Sequence, residues 1–249
     1  MIHKKSMVFC LLLVSSTACA RAAEDSNSMF LLGPGLVVST KPYRGISPSV
    51  LPIPMVKFVS GRFYISGAAA GYRLLAHDGF SLDIIGKTRF DGYDADDSGR
   101  LNGMHNRNGT IDAGCELTLT GEWGTVWTSA VTDTLGQHDG QEIKLGYAKP
   151  FVCERLTVSP STGLIWKSNN LANYYYGIRA DEACAGRPVY HIGDSTNLFV
   201  GLRVQYHPDE RWTLMAGATY QFLDSKIRKS PIVDNSFVIS FLAGTMYKF

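Results

Sequence analysis

The chain has 249 residues, 45% hydrophobic residues and a formal net charge of +2, which is enough for one domain. The small net charge gives no electrostatic basis for binding nucleic acid. No apolar run approaches the roughly 20 residues that a membrane-spanning helix needs. The composition therefore argues against a nucleic-acid-binding protein and against a helical membrane protein.

Residues 1–23 are predicted to form a secretory signal peptide. Two lysines precede an apolar run at 7–14, and small residues follow up to Ala23, as in a cleaved export signal. Cleavage after Ala20 also fits this pattern, although Ala23 is favoured. The remaining chain, 24–249, carries 21 basic and 22 acidic residues, a net charge of −1. An exported chain without a spanning helix is either a periplasmic or secreted β protein or an outer-membrane β-barrel.

The first part of the exported chain predicts three strands, at 29–40, 49–60 and 63–75. The second contains Pro52 and Pro54, which remove N–H groups from a β-ladder. We therefore expect this strand to be irregular, bulged or only partly inside the sheet.

Regular alternation begins at Phe80. Apolar and polar residues then alternate with a period of two, which is the period of a strand and not of a helix. The final segment, 236–249, has an apolar side without charge, aromatic residues at both ends and a carboxyl-terminal Phe249. This pattern is typical of a lipid-facing barrel strand, although soluble sandwiches use the same alternation.

The connections distinguish a barrel from a sandwich. Counted back from Phe249, short links alternate with long polar links, as periplasmic turns alternate with extracellular loops in outer-membrane barrels. The short links are 207–211, 153–155, 121–124 and 76–79; the longer ones are 226–235, 167–194, 135–140 and 91–108. The sequence thus predicts an all-β fold, a transmembrane antiparallel up-and-down β-barrel. Eleven candidate strands are found, but bacterial single-chain barrels have even numbers, so we expect ten or twelve.

Three cysteines remain in the exported chain, Cys115, Cys153 and Cys184. The strand assignment puts them on a lipid-facing strand, at a periplasmic turn and in an extracellular loop. Because these positions are too far apart for unstrained bridges and have no metal-binding spacing, we interpret them as free thiols.

No pattern for catalysis, cofactor binding or metal binding stands out. Ser195 with His191 and Asp194 is the only local cluster that resembles a nucleophile, a base and an acid, and it lacks a recognisable motif. The acidic segment 91–99 lacks the flanking helices and the acidic twelfth ligand of a calcium-binding loop. We therefore predict no catalytic, cofactor or metal residues, and we interpret His138 as a solvated side chain beside a turn.

Several motifs resemble the MltA-interacting protein (MipA)/OmpV family of outer-membrane proteins. The similarity covers essentially the whole exported chain. The matching segments are Gly33-Pro34-Gly35-Leu36-Val37-Val38, Lys41-Pro42-Tyr43-Arg44-Gly45, Leu51-Pro52-Ile53-Pro54, Gly61-Arg62-Phe63-Tyr64, Asn173-Tyr174-Tyr175-Tyr176-Gly177, Glu182-Ala183, Asp224, Ser230-Pro231-Ile232-Val233-Asp234 and Tyr247-Lys248-Phe249.

The resemblance implies a scaffold that joins a murein hydrolase, a lytic transglycosylase, to a murein synthase, a penicillin-binding protein. It also implies an alternative role as a small porin-like channel or an adhesive protein. The expected partners are these enzymes and outer-membrane lipid, with no nucleic acid and no cofactor. A channel would use lumen charges of mixed sign, which could equally pair with one another and close the interior. These predicted lumen groups are Asp83, Lys87, Arg89, Asp112, Glu116, Glu142, Lys144 and Arg203.

A scaffold would contact its partners at the short periplasmic turns. There we single out Trp123, Glu122, Arg155 and Asp209 as candidate partner-binding residues. Trp123 is the best anchor, although a role in the aromatic belt of the membrane interface is equally compatible with its position. The tyrosines at 174–176 could stack on a sugar or peptide, or belong to the outer interface.

At the carboxyl terminus, Tyr247 and Phe249 are the predicted assembly signal. They place aromatic side chains at the periplasmic rim of the last strand, and that strand has an edge that must pair during assembly.

Overall fold

The structure, a computed structural model, describes residues 28–249, so the predicted signal peptide lies outside the described residues. Thirteen β segments form one antiparallel sheet. They are β1 (Met29–Ser39), β2 (Ser49–Ser60), β3 (Phe63–Ser66), β4 (Ala69–His77), β5 (Phe80–Arg89), β6 (Thr110–Gly121), β7 (Gly124–Asp133), β8 (Gln141–Ala148), β9 (Phe151–Cys153), β10 (Leu156–Lys167), β11 (Ser195–Tyr206), β12 (Trp212–Phe222) and β13 (Phe237–Lys248).

The sheet closes into a twelve-stranded barrel. β13 pairs with both β12 and β1, and β10 pairs with β11. β8 and β9 are two parts of one wall strand, because both pair with β10 in the same register, Ala148 opposite Ser161 and Phe151 opposite Val158. The interruption contains Pro150, which cannot donate to the ladder. The prediction of a transmembrane-type antiparallel barrel is confirmed, with twelve as the strand number.

The strand that sequence reasoning missed lies inside the predicted 63–75 segment. The chain reverses there at residues 67–68, so that β3 and β4 form a tight hairpin with Ser66 opposite Ala69. Gly67 makes this reversal with a φ of +59°, a conformation that glycine adopts without steric cost. The small residues that follow have a packing reason, since the ring of Tyr64 covers Gly71.

The two faces of the wall follow the predicted alternation. In β13, Val238, Ser240, Leu242 and Met246 are buried in the interior, whereas Phe241 is exposed on the outside. The proline-containing β2 is regular where it pairs with β1, but it meets β3 only through residues 57–60. The expectation of an irregular, bulged or partly excluded strand is therefore wrong: all of β2 is in the sheet, and only its residues 57–60 are paired on both sides.

The two ends of the barrel differ in their connections. One end, the short-turn rim, has links of two residues and one of five, at 61–62, 78–79, 122–123, 154–155 and 207–211. The opposite end, the long-loop rim, carries 40–48, 90–109, 134–140, 168–194 and 223–236. Two short helices lie within these loops, α1 (Asn169–Tyr176) and α2 (Ser225–Arg228). Neither these nor any other helix between residues 28 and 249 is long and apolar enough to cross a membrane.

Candidate functional site: two rims and the lumen

Trp123 lies at the short-turn rim and is 49% exposed. Its ring stacks on Tyr147 with centroids 6.5 Å apart, and the Tyr147 hydroxyl donates to the Trp123 carbonyl oxygen at 2.6 Å. Lys149 reaches the same turn, where its Nζ donates to the Glu122 carbonyl oxygen at 2.8 Å. These contacts fix the turn while leaving one edge of the indole open.

Arg155 and Asp209 belong to two neighbouring turns of the same rim. Arg155 Nη1 donates to the Pro208 carbonyl oxygen at 2.5 Å. The Asp209 carboxylate accepts from the backbone N–H groups of Arg211 and Trp212, each at 2.8 Å, and these bonds lower the pKa of Asp209. The structure brings these two residues together through backbone contacts of the 207–211 turn, apart from the turn that holds Glu122 and Trp123.

Two exposed apolar residues near Trp123 were missed by sequence reasoning. Phe151 and Val152, on β9, are 58% and 72% exposed. They follow Lys149, whose ammonium group contacts the Glu122 turn. The sequence signal was Pro150, which interrupts the ladder just before them. Phe151 lies on the same outer face of the wall as Tyr147, whereas Val152 points to the opposite face. We call Glu122, Trp123 and Phe151 the rim patch.

Tyr247 and Phe249 lie where the barrel closes. The Phe249 backbone N–H donates to the Phe30 carbonyl oxygen at 3.0 Å. A continuous row of rings, the aromatic seam, crosses five strands from β12 to β3. Its consecutive members are Trp212, Tyr247, Phe249, Phe30, Phe58 and Phe63, with centroid separations of 5.1, 5.1, 5.5, 6.3 and 6.3 Å. The last strand is thus joined to β1 by backbone hydrogen bonds, and the row of rings continues from it through β1 to β2.

One part of the lumen is filled by paired charges. Arg89 lies 2.5 Å from Asp112 and 3.0 Å from both Asp91 and Glu142. Lys87 lies 2.7 Å from Glu142, and Lys167 contacts both Asp91 and Glu142 at 3.5 Å. We call these six residues the luminal ion cluster. The predicted mixed-sign lumen charges Lys87, Arg89, Asp112 and Glu142 do pair with one another. Asp91 and Lys167 also belong to the cluster and were not among the predicted lumen groups.

Another part of the lumen wall is apolar and rich in methionine. Leu31, Val37, Met55, Met215, Leu242 and Met246 form a buried cluster, with Met29, Leu51, Ile53 and Phe90 packed against it. The Met55 thioether lies directly over Gly35 and Gly244, so β2, β1 and β13 interlock there. We call this the methionine cluster.

The long-loop rim is closed by a packed cap. Its core is a hydrophobic cluster that draws residues from four loops, 40–48, 90–109, 168–194 and 223–236. The main members are Tyr43, Tyr93, Leu101, Met104, Leu171, Tyr175, Tyr176, Ile178, Ile192, Ile227, Ile232 and Val233. Between this cap and the luminal ion cluster lies a cavity of about 90 Å³.

The tyrosine motif belongs to the interior of the cap. Tyr175 and Tyr176 are buried, and Tyr176 stacks on Tyr43 at 5.8 Å. The Ser230 hydroxyl donates to the Tyr176 carbonyl oxygen at 2.6 Å, which joins the two family-like motifs. The sequence-based predictions for these tyrosines were stacking on a sugar or peptide, or a place at the outer membrane interface. Both are wrong for Tyr175 and Tyr176, because their rings form the core of the cap.

A buried pair also holds the cap together. Arg107 Nη2 donates to both carboxylate oxygens of Glu182, at 2.7 and 2.8 Å. The same carboxylate accepts from the backbone N–H groups of His105 and Arg179, each at 2.9 Å. The guanidinium group of Arg107 lies near the rings of Tyr93 and Tyr174. Sequence reasoning missed this pair because its members are 75 residues apart.

Three side chains of the described chain, Asp112, Asp133 and His138, lie close enough to hold a metal ion, but their hydrogen bonds do not suit one. Ligand atoms of Asp112, Asp133 and His138 lie within 4.8 Å of one another. However, His138 Nδ1 accepts from the Gly140 backbone N–H and its Nε2 contacts Asp112. Asp133 accepts from a threonine hydroxyl and three backbone N–H groups. These ligand atoms are already occupied, and His138 is buried, not solvated as expected from the sequence.

The local grouping of Ser195 with His191 and Asp194 is not assembled in the described chain. Ser195 is buried with its Oγ unpartnered, whereas His191 is exposed, so these two groups are not paired. Cys115, Cys153 and Cys184 are free and exposed, as predicted.

Comparison with known proteins gives consistent matches over the whole barrel. A family model described as MltA-interacting protein MipA matches residues 32–249. The putative outer membrane protein YiaT of Escherichia coli K12 is 28% identical over 231 residues, covering 91% of this chain and 94% of that protein. The MltA-interacting protein of the same strain is 28% identical over 242 residues, covering 95% and 96%. OmpV of Vibrio cholerae is 31% identical over 144 residues, covering 58% and 56%. Among solved structures, the NanC porin aligns with a TM-score of 0.44 at 14% identity, covering 89% of this chain and all of that one.

Proposed function

Because the chain belongs to the MltA-interacting protein family of outer-membrane proteins, we propose that it is a scaffold that binds murein enzymes at its periplasmic rim. The chain is an outer-membrane barrel, and in such barrels the short turns face the periplasm. The Escherichia coli relative is named as interacting with MltA, and we propose a murein hydrolase of the lytic transglycosylase type as the first partner. The proposed second partner is a murein synthase of the penicillin-binding type.

The rim patch is the observation that supports this proposal. Trp123 and Phe151 are exposed large apolar residues at the short-turn rim. Tryptophan is enriched among the residues that dominate binding energy at protein interfaces. Glu122 adds a charge whose carboxylate makes no hydrogen bond or ion pair within residues 28–249, so it is available to a basic group on a partner.

Arg155 and Asp209 have a supporting role in this proposal. Their side chains hold the 207–211 turn through backbone contacts, and those bonds would have to be retained in a complex. They therefore shape the rim next to the rim patch, and we place the centre of the interface at Trp123.

A test compares capture of the two enzymes by wild type, Trp123→Ala and Trp212→Ala. Truncating an indole at the centre of an interface costs about 2 kcal/mol or more, so Trp123→Ala should weaken the affinity for the transglycosylase about thirtyfold. Trp212, a half-exposed tryptophan of the same rim, is the matched control. Because it packs on Tyr247 in the aromatic seam, capture is compared per folded barrel, as measured by heat-modifiable gel mobility. Equal losses for both variants would show that Trp123 acts only as a membrane-interface residue and would contradict the proposal.

The alternative, a porin-like channel, has the mixed lumen charges in its favour. The luminal ion cluster and the cap instead favour a closed barrel, because the charges neutralise one another and the loops pack over the long-loop rim.

We therefore expect purified wild-type protein to show no steady conductance in a planar bilayer. The comparison is with a variant that lacks residues 170–192. This deletion removes most of α1 and the largest part of the cap. The variant should therefore show frequent channel openings. A steady open state of the wild type would move the channel function ahead of the scaffold.

A further inference from the structure

The barrel wall has an uncovered strand edge in its long-loop half. β2 pairs with β1 along its whole length, from Met29 opposite Val59 to Ser39 opposite Ser49. On its other side it pairs with β3 only through residues 57–60. Because the β3–β4 hairpin turns back at residues 67–68, no strand of the described chain pairs with residues 50–55 on that side. We call this segment the open edge.

The direction of the backbone shows which groups face this opening. In an antiparallel strand, the N–H and C=O of one residue point to the same neighbour, and those of the next residue point to the opposite one. The Val56 carbonyl oxygen accepts from the Gly67 N–H at 2.8 Å, so even-numbered residues of β2 point toward β3. Val50, Pro52 and Pro54 therefore face the opening, and only Val50 has an N–H group.

The two prolines make this edge unsuitable for pairing with another strand. A strand that adds to a sheet edge gains its affinity from main-chain hydrogen bonds, and proline removes the donor. In hydrocarbon, each unsatisfied N–H or C=O group is costly. The prolines leave only the Val50 N–H group at the opening, where the C=O groups of Val50, Pro52 and Pro54 also lie. The open edge therefore disfavours a second protein strand and presents a single donor to an apolar ligand.

The lining on both sides of the edge is apolar. On the outside, Val50 and the neighbouring Leu36 are exposed, as expected within the hydrocarbon band. On the inside, Leu51, Ile53 and Met55 lie on the lumen face and belong to the methionine cluster. Along β2, an apolar surface thus continues from the lipid-facing side to the interior of the barrel, whereas Lys87 and Arg89 of β5 line the interior on the other side of the opening.

We propose that the barrel opens laterally at this edge and that one acyl chain of an outer-leaflet lipid inserts there against the methionine cluster. The cap covers the lumen from outside the cell, so the lateral route gives an apolar chain access that the long-loop rim does not. The opening lies in the long-loop half of the wall, which places it in the outer leaflet. This lipid site is separate from the proposed scaffold function at the periplasmic rim.

The test uses the full barrel in phosphatidylcholine vesicles that contain phosphatidylcholine with a diazirine near the end of one acyl chain. After illumination, mass spectrometry maps the modified residues. We expect adducts on the inward-facing Leu51 and Ile53 as well as on outward-facing residues. Ile165 and Phe199, which are interior residues of the opposite wall, should remain unmodified.

A pair of variants in the β3–β4 hairpin provides the control. Ala69 lies opposite the buried Lys87 and so faces the interior, whereas Ala70 lies opposite Gly86 on the outer face. Ala69→Trp should lower the adduct yield on Leu51 and Ile53 about fivefold or more, because an indole there occupies the space an acyl chain needs. Ala70→Trp should leave the yield unchanged.

Heat-modifiable gel mobility shows whether each variant is folded. If Ala69→Trp does not fold, the wild-type map still decides. Adducts confined to outward-facing residues, or equal on Ile53 and Ile165, would overturn the proposal. Absence of interior adducts together with crosslinked dimers would show instead that a second copy covers the open edge.

Discussion

Replacing Tyr247 and Phe249 together by serine should reduce the amount of folded barrel in the outer membrane severely. Each aromatic side chain removed from an apolar environment forfeits about 1.5–3 kcal/mol, and both belong to the aromatic seam that joins β13 to β1 and β2. The loss therefore falls on the closing contact of the barrel. Outer-membrane fractionation with heat-modifiable gel mobility measures the folded amount.

The matched control for this double variant lies at the opposite rim. Phe222 and Phe237 form an aromatic group with Tyr220, at centroid separations of 4.5 and 5.0 Å. Replacing Phe222 and Phe237 by serine removes two rings of the long-loop rim and leaves the aromatic seam intact. It should cost much less folded protein. If both double variants accumulate equally, the special role assigned to Tyr247 and Phe249 is wrong.

Arg107→Met should open the cap. The Glu182 side chain is fully buried, and removing one partner of a buried ion pair costs about 3–5 kcal/mol because an uncompensated charge remains. Hydrogen exchange and protease cleavage of 90–109 and 168–194 should increase strongly while the barrel wall stays protected. Asp181→Asn is the control, since the His105–Asp181 pair beside it is exposed and exposed pairs contribute little.

Low pH should also destabilise the cap, because it protonates Glu182. Burial alone would raise the pKa of Glu182, but the backbone N–H groups of Arg179 and His105, with the Arg107 guanidinium, lower it below its ordinary value. A lowered pKa in the folded state gives stability that is present above the ordinary carboxyl pKa and lost as the pH falls through the lowered value. Protease protection of the cap should thus persist to below about pH 4 and then fall. Protection lost at a higher pH would contradict this assignment.

The sequence predicted the fold best where a local pattern determines the structure. The alternation in Phe237–Lys248 identified the inner and outer faces of β13, and the loop lengths identified the two rims. The hairpin at residues 67–68 was missed because Gly67 and Ala68 lie in a run of small residues without a polar turn signal. Periodicity remains similar on both sides of such a reversal, so a single long strand was the simpler interpretation.

The candidate sites depend on contacts that no local pattern encodes. Trp123 was recognisable as an exposed turn residue, but the local bonds of Asp209 and Arg155 required the geometry of the neighbouring turns. Tyr175 and Tyr176 looked like surface aromatics because they occur in a long polar loop. They are buried because other loops, distant in sequence, pack against them, and this tertiary effect leaves no periodic signal.

The cap also limits how the outward surface of this protein can change. Loops of a membrane barrel usually vary in length one at a time, since each is anchored only by its own two strands. Here four of them share one core, so an insertion in 168–194 would disturb 40–48, 90–109 and 223–236 as well. An epitope grafted for surface display therefore has its best position at exposed residues 135–137, whose side chains lie outside that core.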